Sequence, residues 1–95
     1  LEALRAQPGV DDERVAVMGY CFGGTTALEL GYSADVDAAV SFHGNPKPPA
    51  EADEPAAKLL ILHGAADPMV KNEGLLAVAA ALEAKDADWT LIAYG

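Results

Sequence analysis

The sequence predicts an α/β fold in which about four parallel strands form one sheet with flanking helices. Short apolar runs alternate with helical patterns along the chain, which is typical of a parallel sheet covered by helices. The run Val15–Met18 is apolar at every position, which predicts a strand buried on both faces. In open sheets of this kind, ligands bind at the carboxyl ends of the strands, so we expect functional residues there.

Each element follows from local patterns. Pro8 and Gly9 end a short first helix, and apolar runs without alternation mark the strands. The last helix has apolar residues at helical spacing: Leu75, Val78, Ala79 and Leu82. The predicted elements are a helix over Leu1–Gln7, a strand over Arg14–Met18, a helix over Phe22–Tyr32 with Thr26, Ala27 and Leu30 facing inward, strands over Asp37–Phe42 and Lys58–Leu62, a helix from Lys71 or Asn72 to Lys85, and a strand over Trp89–Tyr94.

The segment Gly44–Ala57 is rich in proline and acidic residues, which predicts an extended surface loop. Such a loop either borders a site or only connects two strands, and ordinary loops favour simple connection.

Size and charge limit the possible functions. The 95 residues are 52% hydrophobic and 22% charged, which fits one globular domain at most. We expect residues 1–95 to be a partial domain truncated at both ends, because the chain starts at Leu1 and stops directly after an apolar strand. The net charge of −9 disfavours nucleic acid and anionic membrane surfaces as partners.

No apolar stretch approaches the roughly 20 residues that cross a bilayer. We therefore expect no membrane span and a cytoplasmic location, although a leader sequence upstream of Leu1 would not be visible.

The stretch "GYCFGG" contains the only cysteine, Cys21, between a predicted strand and a predicted helix. It fits the pattern Gly-x-nucleophile-x-Gly of a nucleophile elbow, in which a sharp turn pushes the nucleophile above the sheet. Gly19, Gly23 and Gly24 then give clearance where a Cβ would meet neighbouring backbone. The helix start at Phe22 adds about half a positive charge, which favours a thiolate or an oxyanion. The alternative is an inert thiol beside a structural turn.

A second motif, "LLILHGAADPMV", places Asp67 shortly after a strand. A carboxylate here could orient a catalytic histidine, or it could simply open an Asp-Pro turn. The chain order nucleophile, acid, histidine predicts a histidine after Asp67. The only histidines, His43 and His63, precede it; each follows or ends a strand, and each acts either as the base or as a plain polar residue at the sheet edge.

The segments "RVAVMGYCFGGTTALEL", "AAVSFHG", "LLILHGAADPMV" and "WTLIAYG" resemble the dienelactone hydrolase family, a cysteine-nucleophile branch of the α/β-hydrolases. The resemblance implies a parallel-sheet fragment of the α/β-hydrolase fold. It also implies Cys21 as nucleophile, Asp67 as the triad acid and the Phe22 N–H as an oxyanion-hole donor. No metal or organic cofactor is implied. The triad histidine is expected shortly after Gly95, and a glutamate that poises the cysteine and a second oxyanion donor upstream of Leu1.

The resemblance further implies a hydrolase of lactones or small carboxylic esters, of the carboxymethylenebutenolidase type. Because the base is expected outside residues 1–95, we expect this chain alone to be nearly inactive. Two alternatives stay open: a non-catalytic α/β binding module, and a hydrolase of another acyl compound such as a peptide or thioester. Under both hydrolase hypotheses the partner is expected to be a small-molecule substrate. The sequence does not indicate an oligomeric state.

Overall fold

The computed structural model describes all 95 residues, Leu1–Gly95, and contains three helices and four strands. Their bounds lie within two residues of those predicted from the sequence. In chain order they are α1 (Glu2–Arg5), β1 (Ala16–Tyr20), α2 (Phe22–Ser33), β2 (Ala38–Phe42), β3 (Lys58–Gly64), α3 (Asn72–Ala84) and β4 (Asp88–Tyr94).

The four strands form one parallel sheet in the order β1-β2-β3-β4, which confirms the predicted fold class. The register pairs Tyr20 with Phe42 and Phe42 with Leu62, so these strands reach the carboxyl edge of the sheet together. β1 and β4 are the edge strands. Residues that follow β1, β2 and β3 are therefore neighbours along one edge.

Helices α2 and α3 cover the same face of the sheet, because residues from both join a single core cluster. This cluster of ten buried residues also includes one residue of β2 and two alternate residues of β3, and its members are Val15, Leu28, Tyr32, Val36, Ala39, Ala57, Leu59, Ile61, Val78 and Leu82. Of the four apolar residues predicted at helical spacing in α3, Leu75, Val78 and Leu82 are buried and Ala79 is half-buried.

The prediction that the first strand is buried on both faces is wrong. Met18 and Tyr20 are 57% and 58% exposed, while Val17 and Gly19 between them are half-buried. No helix of this chain packs on the face that carries Met18 and Tyr20, so only one side of β1 meets the core. The strand also continues past its predicted end at Met18, because Gly19 and Tyr20 pair with Ser41 and Phe42 of β2.

The inward stripe of α2 also differs from the prediction. Thr26 is exposed and Leu30 only half-buried, whereas Gly24, Ala27, Leu28, Gly31 and Tyr32 are buried. A Cβ on Gly31 would lie 2.7 Å from the Cβ of Ala39, so the helix approaches the sheet through its glycines. Apolarity alone does not reveal a stripe that runs through glycine.

The loop between β2 and β3 is tied to both helices. The hydroxyl of Tyr32 on α2 donates to the Lys47 carbonyl oxygen at 2.8 Å, and the Lys85 ammonium after α3 donates to the carbonyl oxygens of Glu51 and Asp53. Burial of Tyr32 raises the pKa of its hydroxyl to about 12, and the carboxylates of Glu29 and Asp53 add to the shift. Most of this loop connects strands, as predicted.

No helix of the chain is both long enough and apolar enough to cross a bilayer.

Candidate active site

Cys21 occupies a sharp turn between β1 and α2. Its backbone has φ 56° and ψ −124°, a conformation that costs a residue with a side chain on the order of 1–3 kcal/mol. The turn is held by the Cys21 N–H, which donates to the Phe42 carbonyl oxygen at 3.0 Å, and by the Gly24 N–H, which donates to the Cys21 carbonyl oxygen at 2.9 Å. Cys21 is a free, exposed thiol. These features are those expected of a nucleophile elbow.

A side chain would clash at two of the three predicted elbow glycines, and at the third it would not. A Cβ on Gly19 would lie 2.1 Å from the Gly23 carbonyl oxygen, and a Cβ on Gly24 would lie 2.5 Å from the Ser41 Oγ. A Cβ on Gly23 would meet nothing within 4 Å. The clearance predicted for Gly23 is therefore wrong, because its backbone, rather than its missing side chain, makes the close contact with Gly19.

The start of α2 provides a positive local potential at Cys21. Phe22 is the first residue of this twelve-residue helix, so its backbone N–H has no acceptor within the helix. The first turn of α2 contains no acidic residue that would offset the helix dipole. A negative charge on the cysteine sulfur or on a bound oxygen is favoured at this point.

Cys21 and Asp67 line the same cleft, which has a volume of about 230 Å³. Its walls are formed by residues that follow β1, β2 and β3, namely Cys21, Phe22, Thr25, His43, Asn45, Asp67, Met69 and Val70. Asp67 is half-buried, and its Oδ1 accepts the Met69 N–H at 2.9 Å. The predicted turn role of Asp67 is thus present, and its carboxylate belongs to the cleft that contains the cysteine.

The two histidines have different surroundings. The ring of His43 is exposed and lies against Cys21, with Nδ1 at 3.3 Å and Nε2 at 3.6 Å from Sγ. His63 is 2% exposed inside β3, and neither of its ring nitrogens has a hydrogen-bond partner. Of the two histidines, only His43 contacts the cysteine.

Sequence reasoning missed the residues that shape the cleft wall. The Thr25 hydroxyl donates to the Asn45 carbonyl oxygen at 3.0 Å and accepts the Asn45 N–H at 3.2 Å, which fixes the start of the β2–β3 loop against α2. That loop therefore borders the cleft at Asn45, where simple connection was expected. No group of three or more His, Cys, Asp or Glu side chains is arranged to bind a metal ion.

Residues 1–95 match the dienelactone hydrolase family along their whole length. The chain belongs to the dienelactone hydrolase family. It is 31% identical, over 101 residues, to an uncharacterised protein of Caenorhabditis elegans, of which it spans 63%.

Solved structures of the family support the same fold. The chain superposes with a TM-score of 0.91 on a dienelactone hydrolase-like promiscuous phosphotriesterase from metagenomic libraries, to which it is 40% identical. A dienelactone hydrolase described as putative, from Klebsiella pneumoniae subsp. pneumoniae MGH 78578, matches with a TM-score of 0.76 at 26% identity. The alignments cover 99% and 95% of this chain but 41% and 42% of those proteins. An α/β-hydrolase from a deep-sea metagenome, 17% identical, shares the fold with a TM-score of 0.72.

Proposed function

We propose that the protein containing this chain is a hydrolase of lactones or small carboxylic esters that uses Cys21 as its nucleophile. The observation that carries the proposal is the geometry of Cys21: an exposed thiol on a strained strand-to-helix turn, at the start of α2 and in a cleft. Family membership supports a hydrolase, and the elbow supports the cysteine as the group that attacks.

In the proposed reaction, the Cys21 thiolate attacks the ester carbonyl carbon and forms a carbon–sulfur bond. The carbonyl oxygen takes the negative charge, and the Phe22 N–H at the start of α2 donates to it. Collapse of this intermediate expels the alkoxide, which takes a proton from the histidine expected beyond Gly95; this is the proton that the histidine received from the Cys21 thiol. Water then gives a proton to the same histidine as it attacks the acyl-enzyme, and the acid leaves with the thiolate and the histidine cation restored. Asp67 orients that histidine and stabilises its cation.

Two variants of the whole protein test the proposal with an activated aryl ester and a small lactone. Cys21→Ala is expected to reduce kcat/KM by about 10³-fold or more, and Asp67→Asn by roughly 10²- to 10⁴-fold. Asp86→Asn is the matched control for the second change, because Asp86 is exposed in the turn between α3 and β4. Turnover that survives Cys21→Ala in a folded protein would contradict the nucleophile. A complete lack of Cys21-dependent turnover on any acyl substrate would favour the binding module.

A second candidate activity is hydrolysis of neutral phosphotriesters. The observation that favours it is the 40% identity to the promiscuous phosphotriesterase. A thiolate at the elbow can attack phosphorus as well as carbon, and the same backbone donor would stabilise the charged oxygen. An aryl dialkyl phosphate, assayed beside the ester with wild type and Cys21→Ala, separates the two substrate classes. Thioester and peptide substrates in the same panel test the hypothesis that the protein hydrolyses another acyl compound.

A further inference from the structure

Cys21 and His43 are side by side because of the register of the sheet. Tyr20 pairs with Phe42 at the carboxyl ends of β1 and β2, so the next residue of each strand projects from the same edge. The sulfur and the imidazole meet there, with Sγ at 3.3 Å from Nδ1 and 3.6 Å from Nε2. The contact therefore follows from the fold and involves two side chains that are both exposed.

Both residues have a left-handed backbone, which L residues with side chains seldom adopt. φ is 56° at Cys21 and 41° at His43, and the one other non-glycine residue with positive φ is Asp86 in a distant turn. The His43 conformation is held by its N–H, which donates to the Leu62 carbonyl oxygen at 2.9 Å. Gly44 adds to this, because a Cβ there would lie 3.0 Å from the Cys21 carbonyl oxygen. Such strain, maintained by the surrounding structure, is a mark of functional positions.

The imidazole ring of His43 lies directly against the sulfur, so its cation would place positive charge there. Both ring nitrogens lie within 3.6 Å of Sγ, and because their N–H bonds point to opposite sides of the ring, the sulfur contacts the ring as a whole and not one N–H. His43 makes no other side-chain hydrogen bond or ion pair. Its only aromatic neighbour is Tyr20, at a centroid distance of 6.4 Å.

Other charged groups near the sulfur are few. Asp67 after β3 is the only carboxylate that lines the cleft, and it bonds to the Met69 N–H and not to His43. α2 contributes no charged residue in its first turn. The imidazole is therefore the one side chain near Cys21 that can supply positive charge.

We propose that His43 is a positioning residue that holds the Cys21 sulfur at the mouth of the cleft and, as an imidazolium, stabilises its thiolate by placing positive charge against it. This inference rests on the proposed role of Cys21 as nucleophile and adds to it. The histidine expected beyond Gly95 would serve the proton transfers of turnover, whereas His43 acts on the resting thiol. Because the thiolate is the reactive form, the chain then carries within residues 1–95 the means to keep its nucleophile reactive.

Alkylation by iodoacetamide tests the proposal without any substrate, and mass spectrometry of the peptide that contains Cys21, the only cysteine of residues 1–95, identifies the product. His43→Asn suits the site, because asparagine tolerates a left-handed backbone and is too short to reach the sulfur as the imidazole does. We expect the alkylation rate of His43→Asn to fall about tenfold at about pH 6 and to change less than about twofold at about pH 10, where thiols in general are ionised and imidazoles in general carry no charge. Asp86→Asn, the same substitution type at the other left-handed position, should match wild type at both pH values.

A His43→Asn rate equal to wild type at the lower pH would overturn the proposal. So would an equal loss at both pH values, because disturbed structure or access lowers the rate regardless of ionisation. The outcome is independent of the hydrolase assay. His43-dependent alkylation without ester turnover would count against the proposed function alone, and Cys21-dependent turnover without a His43 effect would count against this inference alone.

Discussion

The close approach of Gly19 to the start of α2 leads to a sharp prediction for two alanine substitutions. In Gly19→Ala the new Cβ would lie 2.1 Å from the Gly23 carbonyl oxygen, whereas in Gly23→Ala it would meet nothing within 4 Å. The two glycines belong to the same motif and stand four positions apart. Any difference between the variants therefore reports the local geometry of the elbow and not the loss of a glycine as such.

The expected cost of Gly19→Ala can be worked from that distance. An ordinary contact is about 3.5 Å, so strand and helix must separate locally by about 1.4 Å. The opposing atom is backbone in the first turn of α2 and cannot rotate away. Overpacking typically costs about 1–3 kcal/mol, and a backbone neighbour puts this site at the upper end, about 3 kcal/mol. A chain of this length has roughly 5–14 kcal/mol of stability in total.

Urea unfolding followed by the fluorescence of Trp89, the only tryptophan of residues 1–95, measures the effect. With an m-value of about 1.5 kcal/mol/M, Gly19→Ala should lower the midpoint by about 2 M. Gly23→Ala should leave the midpoint unchanged or raise it slightly, because alanine is favoured over glycine in a helix by up to about 1 kcal/mol. Equal midpoints for the two variants would refute the reasoning.

Two further substitutions test the core, both by urea unfolding. The pKa of Tyr32 is raised to about 12 in the folded chain, whereas an unfolded tyrosine loses its proton near about pH 10. Between these two pH values only the folded state holds the proton, so the free energy of unfolding falls by about 1.4 kcal/mol per pH unit. Tyr32→Phe should be less stable than wild type by about 1 kcal/mol at about pH 9, where the bond to Lys47 is lost, and should gain on wild type as the pH rises to about 11.5; a pH-independent difference would contradict this. Gly31→Ala should cost about 1–3 kcal/mol, because its Cβ would lie 2.7 Å from the Ala39 Cβ, and an unchanged midpoint would show that α2 can move.

The sequence predicted the sheet and its helices well, because short apolar runs that alternate with helical patterns fit few folds other than a parallel sheet covered by helices. It predicted burial less well. Met18 was predicted to be a core residue because it continues an apolar run. Its exposure depends on what covers its face of the sheet, which the local sequence does not determine. The inward stripe of α2 was missed because Gly24 and Gly31 carry no apolar signal, although they bring the helix closest to the sheet.

The elbow was predictable because the motif itself specifies a geometry. Glycine on one side of the nucleophile, a strand before it and a helix after it leave few other backbone paths. Asp67 was predictable only as an alternative between turn and acid, and the structure contains the turn bond within the cleft that holds Cys21. Which chemical role the carboxylate has is a matter for the Asp67→Asn assay.

The two histidines show where local sequence reaches its limit. His43 and His63 each follow apolar residues and each precede glycine, so the sequence treats them alike. β3 continues through His63 and Gly64 because β4 is long enough to pair with both, and strand alternation then turns His63 inward behind Leu59 and Ile61. β1 turns away at Cys21, and its pairing with β2 ends at Tyr20 and Phe42, so His43 lies beyond the last ladder pair and is free to adopt a left-handed backbone. The turn that exposes Cys21 thus also exposes His43 beside it. Their contact depends on where the two neighbouring strands end, so it could not be found in either sequence motif alone.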